Sequence, residues 1–471
     1  MTFSGYRDNR QKAQARVVDV SSPNQAWEDQ QPHWGLIESL VQGTYEMRAK
    51  HRKYLPQMPR ELDESYDRRL YASVLAPLYI RLERMLGGML TRKPVRLNDT
   101  SEDIREDLFD IDLQGNDISL FTYETARKMI RYGHVGCLVD MPKDGNGRPY
   151  WISYTPRDII GWRTEKKEGK EELVQLRLAE KVIEADGLYG EKEVQQIRVL
   201  TPGGFELHRK SEKNSDWIKT EEGTTSLSRI PFAVAYANRV GLLESRPPME
   251  DIGELNLKHY QITSDLDNML HISAVPFLAI FGYPQSAEEI SAGPNEALAL
   301  PEGASASYIE PSGNSFDAQY KRIEQVEKQI NSLALAAVLG QKLSAETAES
   351  KKIDRSQGDS TMQVIAQQMQ DLIDNCLSFH GEYLGQDGGS CFVNRDFLAS
   401  RLEPQEIGSL LQLYTAGTIS KETLLTQLAE NEVLGDEFNV EEELEATEMG
   451  GLVDMAAPEA TAQVESQDVE G

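Results

Sequence analysis

The sequence predicts a mixed α+β fold with more than one packed region. Apolar residues recur three and four positions apart before residue 90 and again after residue 250, as in helices that pack on a core. Between residues 150 and 239 the pattern changes to short strands separated by turn residues. Because the chain has 471 residues, of which 39% are hydrophobic and 27% charged, we expect a globular protein too large for one small core.

The chain is strongly and unevenly acidic. It has 49 Lys and Arg against 77 Asp and Glu, a formal net charge of −28, and residues 422–471 contain 15 Asp and Glu but no Lys or Arg. Lys and Arg supply most non-specific affinity for nucleic acid, so this composition disfavours a protein that grips DNA. It is compatible with a wall around DNA that must slide, because a repelling surface prevents sticking.

Neither an export signal nor a membrane span is predicted. The first residues, MTFSGYRDNRQKAQAR, lack the apolar core of a secretory signal, and the apolar stretches 274–282 and 333–339 fall short of the roughly 18 residues of a membrane helix. We therefore expect a soluble protein. The cysteines Cys137, Cys376 and Cys391 are odd in number and far apart, which predicts buried thiols rather than a disulfide framework or metal knuckle.

Residues 34–89 are predicted to be helical, with interruptions before Pro56 and Pro59, since a proline restricts the residue that precedes it. One apolar face is expected to follow a four-residue spacing. Its members are Leu70, Val74, Leu78, Leu82 and Leu86. The Gly87-Gly88 pair is the expected end of this helical stretch.

A helix over residues 121–132 and a buried strand, HVGCLVDMP, are predicted to lead into the β-rich middle. The strand is expected to end at Pro142 and the turn residues 144–147. The strand patterns that follow are YWISY, LVQLRLAEKV, VQQIRVLTP, FELHR and FAVAYANR.

Two long helices with a β insertion between them are predicted next. The first covers residues 250–273, after Pro247-Pro248, and would be close to 40 Å long at roughly 1.5 Å per residue. Its expected apolar face consists of Ile252, Leu255, Ile262, Leu266 and Met269. The strand pattern PFLAIFG and a region rich in Pro, Gly and Ser follow, up to residue 315. Helical spacing then returns at Phe316.

The second of these helices is predicted to end at Gly340 in the left-handed conformation. A third long helix over residues 346–384 carries a seam long enough for helix packing but too short to require a free coiled coil. Its members are Met362, Ile365, Met369, Leu372, Cys376, Phe379 and Tyr383. Short helices are expected at 405–415 and 421–430, the second with Ser420 as N-cap, and a disordered tail after residue 445.

The sequence contains no recognisable catalytic motif. Walker A, GxGxxG, HExxH and GxSxG patterns are missing, and we predict no catalytic, cofactor-binding or metal-binding residue. His259 and His271 share a predicted helix with several acidic residues but would lie about 18 Å apart along it. A polar surface is therefore the expectation for that helix.

Short motifs, in their order along the chain, resemble those of the portal proteins of tailed bacteriophages, the head-to-tail connectors. They are YLP (54–56), YDRRL (66–70), RKP (92–94), WISYTPRDIIGW (151–162), RIPF (229–232), LNLKHYQITSDLDNMLH (255–271), LPEGASASYIE (300–310) and AGTISKETLL (416–425). The order helix, β insertion, helix, tight turn and long helix also resembles the central part of that fold. The resemblance covers roughly residues 30 to 445.

This resemblance implies a division of the chain into portal regions. They are an N-terminal arm (1–29), a mainly helical wing (30–149), a β-rich wing (150–245), a first stem helix (246–273), a clip (274–315), a second stem helix (316–335), a tunnel loop (336–346), a long wing helix with a following strand (347–400), a helical crown (401–445) and an acidic tail (446–471).

The resemblance further implies a twelve-subunit ring at one capsid vertex of the virion, assembled in the host cytoplasm. The ring would be the channel for packaging and ejecting double-stranded DNA, which it would contact without sequence specificity. Its other partners would be the major capsid protein, the large terminase subunit and head-tail adaptor or neck proteins, with no membrane. The chain itself would be no enzyme, because the packaging motor is a separate protein.

Site residues are implied by segment. The tunnel loop would contain Gln341, Lys342, Leu343 and Ser344, the stem polar face Glu250, Glu254, Lys258, Asp265 and Asp267, and the clip Phe277, Ile280, Tyr283 and Tyr308. Twelve copies of Lys342 would form a positive ring in an acidic channel; the alternative is an exposed lysine on a helix turn.

Two other functions stay open on the sequence. One is an enzyme with an unrecognised site in the β-rich middle, using Asp140, Asp158 or His134. The other is a non-viral helical scaffold that forms dimers or filaments along the seam of the third long helix.

Overall fold

The computed structural model confirms the mixed α+β fold. It describes residues 18–142, 147–167, 169–211, 216–273, 277–282, 303, 305–309, 314–339, 361–395, 397, 404–430, 433–434, 440, 443–444 and 446. The chain divides into a larger unit that ends at Arg395 and a smaller unit after it.

The helices follow the predicted order. They are α1 (Gln25–Gln42), α2 (Thr44–Ala49), α3 (Asp63–Ala72), α4 (Leu78–Leu90), α5 (Glu102–Asp107), α6 (Ile118–Tyr132), α7 (Glu250–Ser273), α8 (Asn314–Leu339), α9 (Thr361–Leu384), α10 (Pro404–Thr415) and α11 (Lys421–Glu430), with 3₁₀ turns at His51–Lys53 and Leu108–Asp110.

The strands concentrate in the middle of the chain, as predicted. They are β1 (Arg96–Asn98), β2 (His134–Asp140), β3 (Tyr150–Tyr154), β4 (Ile159–Lys167), β5 (Lys170–Asp186), β6 (Gly190–Thr201), β7 (Gly204–Lys210), β8 (Trp217–Thr224), β9 (Phe232–Tyr236), β10 (Arg239–Gly241), β11 (Glu244–Ser245), β12 (Phe277–Phe281), β13 (Ser305–Ile309) and β14 (Ser390–Phe392).

The predicted continuous helical face from Leu70 to Leu86 is wrong, because the chain breaks between α3 and α4. Pro77 precedes the first residue of α4, and a proline both lacks an N–H and disfavours the helical conformation of the residue before it. As a result Val74 lies in the break and is 60% exposed instead of packing on the core.

The predicted helix end at Gly87-Gly88 is also wrong, since α4 continues to Leu90. At Gly87 the helix lies so close to α6 that a Cβ there would stand 2.7 Å from Cγ of Arg127. Gly87 therefore permits the close packing of α4 on α6 rather than ending the helix.

The middle of the chain contains two antiparallel sheets. In the three-stranded sheet, β2 lies between β3 and β9. The five-stranded sheet is a meander of β4 to β8 in chain order. A shared core of buried apolar side chains includes Leu138, Tyr154, Ile159, Leu176, Leu178, Leu200, Ile230, Phe232 and Leu243. Strands β4 and β8 are additions to the sequence-based prediction.

The predicted buried thiols are confirmed for Cys137, Cys376 and Cys391, all of which are free. Burial and the neighbouring Cys137 raise the pKa of Cys376. Two thiols distant in sequence are thus brought together where β2 meets α9. Among the described residues, none of the helices combines the length and the apolar character needed to cross a membrane.

The smaller unit contains α10 and α11. Oγ of Ser420 accepts a hydrogen bond from the backbone N–H of Thr423 at 3.1 Å, which confirms Ser420 as the N-cap of α11. Apart from residue 446, the predicted disordered tail lies outside the described residues.

Candidate functional site

Helix α7 is the central element of the candidate site. It begins after two prolines and has Glu250 and Asp251 in its first turn, where carboxylates interact favourably with the helix dipole. Ile252 and Leu266 of its apolar face are buried. Gly253 faces Leu40 and Ile37 of α1, and a Cβ there would meet Leu40 at 3.5 Å, an ordinary van der Waals contact.

Polar contacts fasten α7 to the N-terminal helices along most of its length. In the first turn, Nδ1 of His33 and Oε1 of Glu250 are 2.5 Å apart. Further along, Nε2 of Gln261 donates to the carbonyl of Tyr54 at 2.9 Å, and Oγ of Ser73 donates to Oγ of Ser264 at 2.7 Å. Nη1 of Arg69 lies 3.4 Å from Oδ1 of Asp265. These contacts hold one side of α7 from its first turn to beyond its middle.

Asn256 makes the most deeply buried of the polar contacts of α7. Its Oδ1 accepts from the backbone N–H of Tyr79 at 3.0 Å, and its Nδ2 donates to the carbonyl of Ala76 at 3.0 Å. Asn256 is fully buried. The side chain therefore provides the acceptor for the Tyr79 N–H at the start of α4 and a second donor for the Ala76 carbonyl, which also accepts from the backbone N–H of Leu78 at 2.8 Å.

The predicted β insertion between the two long helices contains an antiparallel hairpin. Strand β12 pairs with β13 from Phe277 opposite Ile309 to Phe281 opposite Ser305. Of the predicted clip residues, Phe277, Ile280 and Tyr308 lie on these strands, and Tyr283 lies outside the described residues.

Helix α8 returns from the hairpin and packs against α7. Val326 and Ile330 are buried on it. Nε2 of His259 lies 3.1 Å from Oε1 of Glu327. His259 is 14 residues from the end of α7, and Glu327 is 13 residues from the start of α8, so each lies about 20 Å along its helix from that end. Because the two residues are in contact, the helices run antiparallel.

The predicted stem polar residues fall into two groups. Glu254, Lys258 and Asp267 are exposed. Glu250 and Asp265 instead pair with α1 and α3, and burial raises the pKa of Asp265 although Arg69 opposes the shift. The predicted tunnel-loop residues Gln341 to Ser344 and the proposed terminator Gly340 lie outside the described residues.

Helix α9 carries the predicted apolar seam but buries it within the fold. Met362, Ile365, Met369, Leu372, Cys376 and Phe379 are buried. The helix packs on β2, β9 and β14 and also contacts α8. The seam is therefore part of the core, and α9 connects the helix-hairpin-helix unit to the β-rich middle.

The residues that the enzyme hypothesis names belong to separate hydrogen-bond networks. Nδ1 of His134 lies 2.6 Å from Oγ of Ser245, and burial lowers the pKa of His134 to about 3. Asp140 accepts from Arg198 at 2.6 Å, whereas Asp158 accepts from the hydroxyl of Thr155 at 2.6 Å. The structure does not bring the three together.

A polar network that joins the two sheets was not predicted from the sequence. Arg198 donates to Glu180 at 2.7 Å as well as to Asp140, and Glu180 also accepts from the hydroxyl of Tyr154 at 2.6 Å. Burial disfavours the charge of Arg198, but the carboxylates outweigh it and raise the pKa of the guanidinium. These residues come from four strands, β2, β3, β5 and β6, so no local sequence pattern predicts them.

The network lines one side of an open cavity of about 750 Å³. Glu180, Gln196, Arg198, Lys210 and Trp217 lie along it. The lining carries charges of both signs, with Asp158 and Glu180 against Lys181, Arg198 and Lys210. In the part of the chain that the structure describes, no group of His, Cys, Asp or Glu is arranged to hold a metal ion.

Comparison with known proteins identifies one sequence family model. The model, described as a domain of unknown function (DUF4055), matches residues 248–384. That range spans α7, the β12–β13 hairpin, α8 and α9. No curated protein matches the sequence.

Similar solved structures come from gene transfer agent (GTA) particles. A neck of the native GTA particle computed with C12 symmetry gives a TM-score of 0.39 at 10% identity, covering 76% of this chain and 89% of that chain. A neck of the empty particle computed with C6 symmetry gives 0.39 at 10%, covering 80% and 95%. The virion of the native particle gives 0.39 at 9%, covering 83% and 98%.

Proposed function

We propose that the chain is the portal subunit of a tailed phage or phage-like particle. Copies of it form a closed ring at one capsid vertex, and the ring is the channel through which double-stranded DNA enters and leaves. The chain acts as a passive structural component, and a separate packaging motor supplies the energy. The motifs that resemble portal proteins led to this proposal.

The helix-hairpin-helix unit is the observation that carries the proposal. Two helices of about 36 and 39 Å run antiparallel, an antiparallel hairpin joins them, and a further long helix follows. The family model matches this unit from just before α7 to the end of α9. The match of one family model to all of these elements supports a unit that acts as a whole.

In this proposal α7 and α8 are the stem and the β12–β13 hairpin belongs to the clip. The firm attachment of α7 to the N-terminal helices suits a stem, since it transmits force to the body of the subunit. The exposed Glu254 and Asp267 add to an acidic surface that DNA would not stick to. Lys342 of the tunnel loop then supplies the local cationic contact.

The partners follow from the same role. The major capsid protein surrounds the ring, the large terminase subunit docks during packaging, and head-tail adaptor or neck proteins dock afterwards. DNA contacts are to the backbone and independent of sequence. We assign the chain no catalytic residue and no cofactor.

Native mass spectrometry and negative-stain images of the purified full-length chain test the proposal. Twelve copies of a 52.9 kDa chain total about 635 kDa, and closed rings with a central channel are the expected particles. A monomer at every concentration and salt condition would overturn the ring. Open filaments or dimers would instead favour the helical scaffold.

A further inference from the structure

The β5–β6 hairpin extends beyond the sheet that it belongs to. The pairing of β4 with β5 ends at Leu178, and the pairing of β7 with β6 begins at Gln196. Between these limits, residues 180–195 form a two-stranded ribbon to which no other described strand is paired. An isolated two-stranded ribbon is only marginally stable in water, so this one is a candidate for support from outside the subunit.

The tip of this ribbon is apolar and exposed. Leu188 and Tyr189, next to the left-handed Gly187, are 84% and 95% exposed. Asp186 and Glu191 flank them, and neither has an ion pair among the described residues. The charges further down the ribbon are paired with one another or with the sheet, as Lys181 with Glu193 and Glu184 with Arg209 show. The tip thus offers two large apolar side chains between two free carboxylates.

A surface of opposite charge lies on the outer face of α4. Arg81, Arg84, Met85 and Gly88 are all exposed and follow the spacing of one helical face. Neither arginine has an acidic partner within the described chain, although the protein has a net charge of −28. Next to Met85, which is 41% exposed, a side chain on Gly88 would meet no atom within 4 Å. The face therefore combines two free cations with an apolar surface and open space.

We infer that the ribbon tip of one copy docks on the α4 face of the next copy. Leu188 and Tyr189 cover Met85 and the space above Gly88, while Asp186 and Glu191 pair with Arg81 and Arg84. A contact between two different surfaces of the same chain is heterologous, and such contacts close into rings when the rotation permits. The inference rests on the proposed portal function, because it names the surfaces that join neighbouring subunits of the ring.

Disulfide trapping tests the contact directly. The three native cysteines are buried, so Leu188→Cys combined with Met85→Cys adds the accessible thiols. Mild oxidation of the assembled double variant should give a ladder of multimers on a denaturing gel, and reduction should collapse it to the 52.9 kDa chain. Each single variant should give no ladder. A matched control pairs Leu188→Cys with Tyr45→Cys, an equally exposed position on α2.

Charge reversal provides an independent test. Asp186→Arg with Glu191→Arg, or Arg81→Glu with Arg84→Glu, should each shift most of the protein from ring to monomer in native mass spectra. All four substitutions together should restore the ring, which a general loss of stability would not do. Tyr189→Ser should raise the protein concentration needed for half-maximal ring formation at least tenfold, whereas Tyr45→Ser should leave that concentration unchanged.

The outcomes separate this inference from the function on which it rests. If the double cysteine variant forms rings but gives no ladder, and if rings survive both charge reversals, the contact is overturned and the portal proposal stands. A wild-type chain that never assembles would overturn both. Variants that still form rings but fail to attach to capsids would show that the tip binds another protein, and would overturn the contact between copies.

Discussion

His134 is a titratable side chain that the fold keeps neutral. It is 1% exposed, and burial lowers its pKa to about 3 from an ordinary value of 6.5. The unfolded chain therefore binds a proton at this residue at a higher pH than the folded chain. The stability that neutral His134 permits is complete above pH 6.5 and is lost as the pH falls towards 3.

We predict that lowering the pH from 7 to 5 reduces the free energy of unfolding by about 2 kcal/mol through this residue alone, because only the unfolded chain takes up a proton at His134 in that range. One unit of pKa difference corresponds to about 1.4 kcal/mol. Denaturant unfolding at both pH values measures it. His134→Asn removes the titrating group and should make the pH dependence shallower by that amount. His51→Asn, at an exposed position, is the control. Equal slopes for wild type and His134→Asn would contradict the assignment.

Glu83 is a fully buried carboxylate that holds two arginines together. Its Oε1 accepts from Nε of Arg127 at 2.9 Å and from Nη2 of Arg131 at 2.8 Å, so α4 and α6 are joined by charge. We predict that Glu83→Gln destabilises the chain by about 3–5 kcal/mol, because two guanidinium groups then face each other without a counter-charge. Urea unfolding, with the exposed Glu64→Gln as control, checks this. An unchanged midpoint would mean that both arginines reach solvent.

At the scale of elements, Asn256 links α7 to the break between α3 and α4. Removing its side chain leaves the buried N–H of Tyr79 without a partner, at a cost of about 1–3 kcal/mol, whereas the carbonyl of Ala76 keeps the backbone N–H of Leu78. We predict that Asn256→Ala lowers the thermal midpoint by several degrees, whereas Glu254→Ala, exposed on the same helix, does not. Protection of the Tyr79 amide from hydrogen exchange should fall in Asn256→Ala. Unchanged protection would refute the capping role.

The order of elements was predictable wherever the signal is local. The spacing from Ile252 to Leu266 defines α7, and PFLAIFG marks β12, because apolar periodicity directly reflects which face is buried. The hairpin partner β13 falls in the region rich in Pro, Gly and Ser, for which the sequence predicts only a β insertion as a whole. The predicted face from Leu70 to Leu86 is too long, because the four-residue spacing of apolar residues continues through Val74 although the helix is interrupted before Pro77.

Strands β4 and β8 of the five-stranded sheet were not predicted, because pairing rather than composition forms them. Beyond Gly161, β4 is mostly exposed and rich in Lys and Glu, and β8 alternates charged residues without an apolar face. Each becomes a strand because a neighbour offers it a hydrogen-bonding edge, β5 in the case of β4 and β7 in the case of β8. The polar contacts of the site were hidden for the same reason: His259 and Glu327, or Asn256 and Tyr79, meet only after distant segments have folded together.

At the scale of the whole molecule, charge should decide how readily copies associate. Each chain carries −28, and a globule of this size has a radius of gyration of about 23 Å, so neighbouring centres lie tens of ångströms apart. The screening length falls from about 30 Å at 0.01 M salt to about 8 Å at 0.15 M. Net repulsion is therefore almost removed by physiological salt, while ion pairs in contact are screened much less.

We accordingly predict that ring assembly increases when salt is raised from 0.01 to 0.15 M, measured as the ring fraction by mass photometry at fixed protein concentration. Deleting residues 446–471 removes six acidic and no basic residues, so this variant should assemble at lower salt than the full chain. Sucrose at matched osmolarity controls for excluded volume. If assembly instead decreases with salt, local ion pairs outweigh the net repulsion, and the variant without the tail should then behave like the full chain.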